Sequence, residues 1–413
     1  MAGTVVREAV TSVPHGEQGS LAGLPAPRRR GPRTAGPVEP AEHLPVARVL
    51  VDVPAAHLDR TFEYLVPAAA DDDVRPGCRV KVRFGPRDVD GFVLDRVADA
   101  EHDGELAALR RVVSPVPVLS PEVLRLARAV ADRYAGTLGD VVRLAVPPRH
   151  ARVETEITAP GWAGATAHAA EHSPPSVEPA PVDPVPVAPA SVEPAPVEPS
   201  PLEPASRAAW SAYRGGPAFL EHLAAGRSPR AVWTALPGPA GEQWPDAVAQ
   251  AVAATTRSGR GAVVVLPDAR DVDRVVAALP AAGVPAWAPG TTGGYVRLEA
   301  DHGPAPRYRA FLAALTGGAR VVVGTRAAAW APVTDLGLVV CWDDADDLHA
   351  EPRSPYPHVR EVLTLRAEQS GSAALVGGLT RTTEAQLLVR SGWARPCRPS
   401  APSSGRARPA SRR

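Results

Sequence analysis

Hydrophobic and polar positions change rhythm several times along this chain, and each change marks a candidate element. From Val46 to Val53 the residues are mostly apolar and the run is stopped by Pro54, which reads as a strand. Residues 62–66, 79–84 and 91–94 are further short strand candidates, separated by Pro, Gly and Asp clusters that favour turns. Together they predict a small β-barrel or sandwich. At Ser120 the period lengthens: an N-capping residue and Pro121 precede Val123, Leu126, Ala127, Val130 and Tyr134 at helical spacing. Residues 261–267, 320–324 and 337–342 are largely continuous apolar runs, and they alternate with helical stretches at 268–279 and 305–315. Runs of that kind are strands of a parallel sheet covered on both faces.

Three segments carry no such period. Residues 1–43 are rich in Gly and Pro and hold an arginine cluster, Arg28 to Arg30 followed by Arg33. Residues 173–204 contain 12 prolines, and between Val153 and Ser206 stand eight carboxylates with no Lys or Arg. The last twenty residues hold six arginines and no acid. All three are expected to be disordered, the middle one repelled by nucleic acid. The remainder of the 413 residues, 45% hydrophobic overall, suffices for two to four domains. Basic and acidic residues balance at 45 each, so any basic patch must arise by local segregation. Cys78, Cys341 and Cys397 are too far apart for a disulfide framework or a four-thiolate zinc site, which favours a reducing, cytoplasmic setting. No run has the length of a signal peptide core or a membrane span. His168, Glu171 and His172 have the spacing of one zinc-protease motif, but they abut Ser173-Pro174-Pro175 and lack an apolar helix face, so a chance match is expected.

The strand at 46–53, the segment Leu58-Asp59-Arg60-Thr61-Phe62-Glu63-Tyr64-Leu65-Val66-Pro67 and the segment Pro76-Gly77-Cys78-Arg79-Val80-Lys81-Val82-Arg83-Phe84-Gly85 resemble the start of the PriA family of replication-restart helicases. Leu138-Gly139-Asp140-Val141, Val323-Gly324-Thr325-Arg326-Ala327 and Gly377-Gly378-Leu379-Thr380 continue the resemblance in that family's order over about residues 44–393. It implies a multidomain α/β protein: disordered tail 1–43, small β-rich 3′-end DNA-binding domain 44–117, first part of a winged-helix-like segment 118–159, Pro/Glu-rich insert 160–206, degenerate first RecA-like helicase lobe 207–393 and basic tail 394–413. The implied pocket for the 3′-hydroxyl end of DNA is Phe62, Glu63, Tyr64, Gly85 and Arg110. Phe62 and Tyr64, two apart on one strand, share a face, which is either the pocket or the core. Glu63 would accept from the hydroxyl and Arg110 would pair with phosphate.

The family's nucleotide motifs are altered here. Lys81 is the only lysine, so no Gly-Lys-Thr phosphate loop exists in these residues, and Gly238, Gly241 and Glu242 stand about where it would be. Trp342, Asp343 and Asp344 replace the start of the family's acidic motif. The expected function is binding of stalled or abandoned forks and promotion of primosome assembly and helicase reloading, with no catalytic residues and no unwinding. Expected partners are forked DNA with a 3′-hydroxyl end, primosome and replicative helicase-loading proteins and single-stranded DNA-binding protein, with no membrane. No cofactor is expected, because the family's zinc ligands, its second lobe and its ATP site lie outside the sequence or are altered; the basic tail reads as a truncation or shifted frame. An active 3′–5′ helicase and an interaction remnant without DNA binding stay open as alternatives.

Overall fold

The computed structural model describes residues 38–157, 208–239 and 243–400. Five strands form a closed β-barrel: β1 (Val46–Val51), β2 (Phe62–Leu65), β3 (Arg79–Phe84), β4 (Arg87–Val97) and β5 (Arg111–Ser114), all antiparallel in the order β2-β1-β4-β3-β5. Closure comes from the segment just before β5, where Leu65 N–H donates to Ala107 (3.0 Å) and Leu109 N–H to Leu65 (2.9 Å). Alternate residues, among them Val49, Tyr64, Val80, Val82 and Val93, fill the interior. The barrel begins before residue 44, because Pro40 bridges to Pro67 and Ala41 is buried with its N–H on Val66. The expected tail boundary at 43 therefore moves to about 40.

Three helices follow: α1 (Pro121–Arg133), α2 (Leu138–Ala145) and α3 (Ala151–Ile157). Ser120 Oγ accepts from Val123 N–H and caps α1, and Thr137 caps α2 in the same way. The described residues of this segment hold helices and no strand, and the remainder of the expected winged-helix-like segment lies outside the described residues. The apolar faces of α1–α3 are spent against the α/β lobe, with which they share one core.

That lobe is an eight-stranded sheet in the order β6-β13-β7-β12-β11-β8-β10-β9. Its strands are β6 (Tyr213–Arg214), β7 (Arg230–Thr234), β8 (Gly261–Val265), β9 (Tyr295–Leu298), β10 (Val321–Gly324), β11 (Leu336–Trp342), β12 (Ala373–Gly378) and β13 (Arg395–Pro399), all parallel except for β6 against β13. One face packs on α4 (Gly216–Ala224), α5 (Trp244–Arg257) and α6 (Ala269–Ala278). The other packs on α7 (Pro304–Leu315), α8 (Val359–Ser370) and the three preceding helices, while α9 (Thr383–Arg390) follows β12. Burial on both faces is why β8, β10 and β11 are apolar throughout.

The basic tail expected from 394 is corrected by β13, which pairs Arg395 with Ala231 and Cys397 with Trp233. Its two prolines hid it. Pro396 is tolerated because β6 pairs only with Arg398 and Pro399, which leaves the other side of β13 at Pro396 an open edge, and Pro399 is the last residue of the strand. The 160–206 insert lies outside the described residues, and no described helix is long and apolar enough to cross a membrane.

Candidate nucleic-acid interface

The five expected end-pocket residues do not converge. Successive side chains of β2 point to opposite faces, and Phe62 and Tyr64 take the inner one. Tyr64 is 4% exposed in the barrel core, with its hydroxyl donating to the Arg83 carbonyl at 3.1 Å. It offers no stacking face. Phe62 is half-buried, edge-on to Phe84 at 4.9 Å, with the Arg60 guanidinium 5.0 Å over its ring. Glu63 points outward, away from both. Its Oε2 accepts from the N–H groups of Glu101 (2.9 Å) and His102 (3.0 Å), and its Oε1 faces Arg48 Nε at 3.5 Å. The carboxylate is committed to holding the 99–105 loop, so the expected role as acceptor for a 3′-hydroxyl is not what this geometry provides.

Gly85 and Arg110 remain together with groups that the sequence reading missed. Gly85, at φ +56°, turns the β3–β4 hairpin, and the space a Cβ would occupy there is open. Beside it Asp88 faces both Arg83 (3.4 Å) and Arg110 (3.7 Å), and Arg87 is exposed. This end of the barrel presents an open turn, the Phe62–Phe84 pair and three arginines, which suits a nucleic-acid end.

The second candidate lies at the carboxyl edge of the sheet, where loops after β7, β11 and β12 converge: Ala235 N–H donates to Gly378 (2.9 Å) and Asp343 N–H to Gly377 (2.6 Å). Gly238 lies in the β7–α5 loop, while Gly241 and Glu242 fall outside the described residues. Trp342 ends β11 and is buried. It stacks on Trp244, the first residue of α5, with ring centroids 4.1 Å apart and planes 11° apart, and lies 5.5 Å from Trp233. A Cβ at Gly377 would come within 2.8 Å of Trp233, so the rings fill the space under the converging loops. Arg274 covers the outer ring at 4.8 Å.

Asp344 is buried, bonded to Arg360 (2.8 Å) and to the Thr382 hydroxyl (2.7 Å), which ties β11 to α8 and α9. Burial, then Asp346 and Asp344, push the Asp343 carboxyl up; burial, then Asp268, do the same to Asp271. The stacked indoles leave the last residue of β11 without a carboxylate. Among the described residues no group of three or more His, Cys, Asp or Glu side chains is placed to hold a metal ion.

A family model described as the 3′DNA-binding domain (3′BD) of PriA matches residues 48–147, running through α1 and α2 as well as the barrel. The chain is 51% identical over 343 residues to the probable replication restart protein PriA of Mycobacterium tuberculosis (strain CDC 1551 / Oshkosh), covering 82% of this chain and 45% of that protein. It is 49% identical over 342 residues to the probable replication restart protein PriA of Mycobacterium leprae (strain TN), with the same coverage. With the replication restart protein PriA of Bacillus subtilis (strain 168) it shares 32% over 88 residues, 21% of this chain and 11% of that one. A crystal structure of the Escherichia coli DExH-box NTPase HrpB matches with a TM-score of 0.25 and 22% identity over 41% of this chain and 22% of that one, too weak a likeness to bear on the fold. The chain spans about half the length of the mycobacterial relatives it matches.

Proposed function

We propose, for a chain that is PriA-type over those 343 residues, that it binds the 3′ end of DNA at stalled or abandoned replication forks and there promotes primosome assembly and reloading of the replicative helicase, without unwinding DNA through the lobe described. The match of residues 48–147 to a 3′DNA-binding domain carries this reading. The open turn at Gly85, flanked by Phe62–Phe84 and by Arg83, Arg87 and Arg110, supports it in chemistry: an aromatic edge for a base and guanidinium groups for the last phosphates. The absence of ATP-driven unwinding rests on Trp342 and Trp244 stacked where a nucleotide would need a magnesium ligand and on the single lysine lying in the barrel.

Fluorescence anisotropy of the whole chain with a labelled oligonucleotide tests the first part. A bulky block on the 3′ end should weaken binding roughly tenfold, the share of one stacked base and the groups around it, while the same block on the 5′ end should not. Equal affinity for both blocked strands overturns end recognition. Forked DNA should stimulate no ATP hydrolysis; turnover above the buffer rate overturns the second part.

A further inference from the structure

We propose that the outer face of β3, β4 and β5 is a phosphate-binding track, which carries the backbone of the DNA strand whose 3′ end sits at the Gly85 end of the barrel. The proposal rests on the end-binding reading above and names the surface that would serve it. Along β3 the inward side chains are Val80 and Val82, which puts Lys81 and Arg83 on the outer face. Across the strands Lys81 lies directly opposite Arg111, while Asp90 and Asp88 lie opposite Lys81 and Arg83 on the β4 side.

With Arg110 beside Asp88 and Arg111 opposite Lys81, four cations face two carboxylates on this surface. Asp90 reaches Lys81 (3.3 Å), and Asp88 is shared between Arg83 and Arg110. Nothing of the kind is implied by the chain as a whole, whose charges balance. Like charges directly opposite across strands, as Lys81 and Arg111 are, cost stability in the free protein. A polyanion would relieve that cost.

The other flank of the barrel makes the choice of partner and path one-sided. The segment from Asp95 to Glu105 carries Asp95, Asp99, Glu101, Asp103 and Glu105. Glu63 holds it against β2 through the Glu101 and His102 N–H groups. Its arginine, Arg96, is turned onto Asp71 and the carbonyls of His43, Leu44, Asp71 and Val74, and Arg48 pairs with Glu101, which leaves Asp95, Asp99, Asp103 and Glu105 as the exposed acids of this flank. A phosphate backbone leaving the Gly85 end is repelled by the 95–105 side and drawn along β3–β5.

The test uses the whole chain and single-stranded oligonucleotides, with affinity followed against salt. Neutralising one phosphate-binding cation should flatten the log–log salt slope by about 0.7, so K81Q/R111Q should flatten it by about 1.4 and weaken binding roughly 25-fold at 0.1 M salt. The R111K variant should keep the parent slope, and R125Q/R152Q, which removes the same charge from α1 and α3, should leave both slope and affinity unchanged. Retained unfolding midpoints for all three show that the barrel is intact. An unchanged slope in K81Q/R111Q, or an equal loss in R125Q/R152Q, overturns the track. The end-binding reading fails separately: a flattened slope with equal tolerance of 3′ and 5′ blocks keeps the track and removes the end site, whereas an unchanged slope with a persisting 3′ preference does the reverse.

Discussion

Replacing Trp342 by Ala removes the central ring of the cluster under the sheet's carboxyl edge. Its side chain is 3% exposed, sandwiched between Trp244 at 4.1 Å and Trp233 at 5.5 Å, and backed by Gly377. Buried aromatic-to-alanine changes cost about 3–5 kcal/mol where the site cannot collapse. Collapse is hindered here because Trp233 is also packed on Trp210 (5.0 Å) and Tyr213 (5.5 Å), and Tyr213 pins the β7–α5 loop through its hydroxyl to Leu236 N–H (2.8 Å). The expected loss is therefore in the upper part of that range, about 4–5 kcal/mol, a large share of the roughly 5–15 kcal/mol that holds a protein folded. Urea unfolding followed by far-ultraviolet circular dichroism reads it. The Trp244→Ala, Trp342→Ala cycle should show a coupling of about 0.5–1.5 kcal/mol for the stack itself. Trp342→Asp, which returns an acid to the family's position, should destabilise at least as much as alanine, because a carboxylate would sit among indoles without a partner. It should bind magnesium–ATP no more tightly than about millimolar in calorimetry, with neither a phosphate-loop lysine nor room for the triphosphate. A loss under about 1 kcal/mol for Trp342→Ala, or micromolar ATP binding by Trp342→Asp, refutes the view that these rings fill the nucleotide position.

Glu63→Gln should cost about 1.5–3 kcal/mol of stability, through the charged acceptor it provides to two N–H groups, and should speed amide exchange at Glu101 and His102 while leaving the tolerance of 3′-blocked DNA unaltered; a changed end preference would return Glu63 to the end site. Arg360→Ala leaves Asp344 buried with only the Thr382 hydroxyl and should cost about 3–5 kcal/mol by urea unfolding, with a loss near zero counting against the buried pair. Burial, then Arg360, hold the His358 imidazole down at about 4 from the usual 6.5, so the unfolded chain binds the proton first: stability is full above about 6.5 and is lost as pH falls toward 4. His358→Asn, which keeps an N-capping acceptor for Arg360 N–H, should flatten that dependence in unfolding midpoints, and an unchanged slope would assign the pH effect elsewhere.

The parallel strands β8, β10 and β11 were legible because burial on both faces writes itself as an almost unbroken apolar run, whereas β7, β9 and β12 were not read as strands. β13 was not, since one buried cysteine among two prolines and two arginines carries no period and the strand is defined by pairing with the distant β7 and β6. The placement of the five candidate pocket residues was partly legible. Alternation along Phe62-Glu63-Tyr64 already puts Glu63 on the face opposite the aromatics, and a family pattern of adjacent residues obscured that geometry. The partners that matter most are distant in sequence and chemically ordinary alone: Trp244 for Trp342, Arg48 and the 101–102 backbone for Glu63, Thr382 for Asp344. No local pattern names such pairs.

The same distance problem hid how the barrel is attached. Tyr308 on α7 donates to the buried Glu154 of α3 at 2.5 Å, Arg309 donates to both Glu156 oxygens through Nε and Nη2 (2.7 and 2.8 Å), and Arg79 on β3 donates to the Pro147 carbonyl at 2.6 Å. On the other side Arg133 meets Glu361 at 2.5 Å, and the Tyr134 hydroxyl accepts from His358 N–H at 3.1 Å. Leu50 and Phe92 of the barrel, the apolar faces of α1–α3, and residues of α7 and α8 belong to one continuous core. The barrel, its three helices and the α/β lobe are thus packed through one core. That shared core draws on α7, α8 and one face of the sheet, whereas Trp342 and Trp244 belong to the core on the other face, so the seat of the barrel and its three helices does not depend on those two rings.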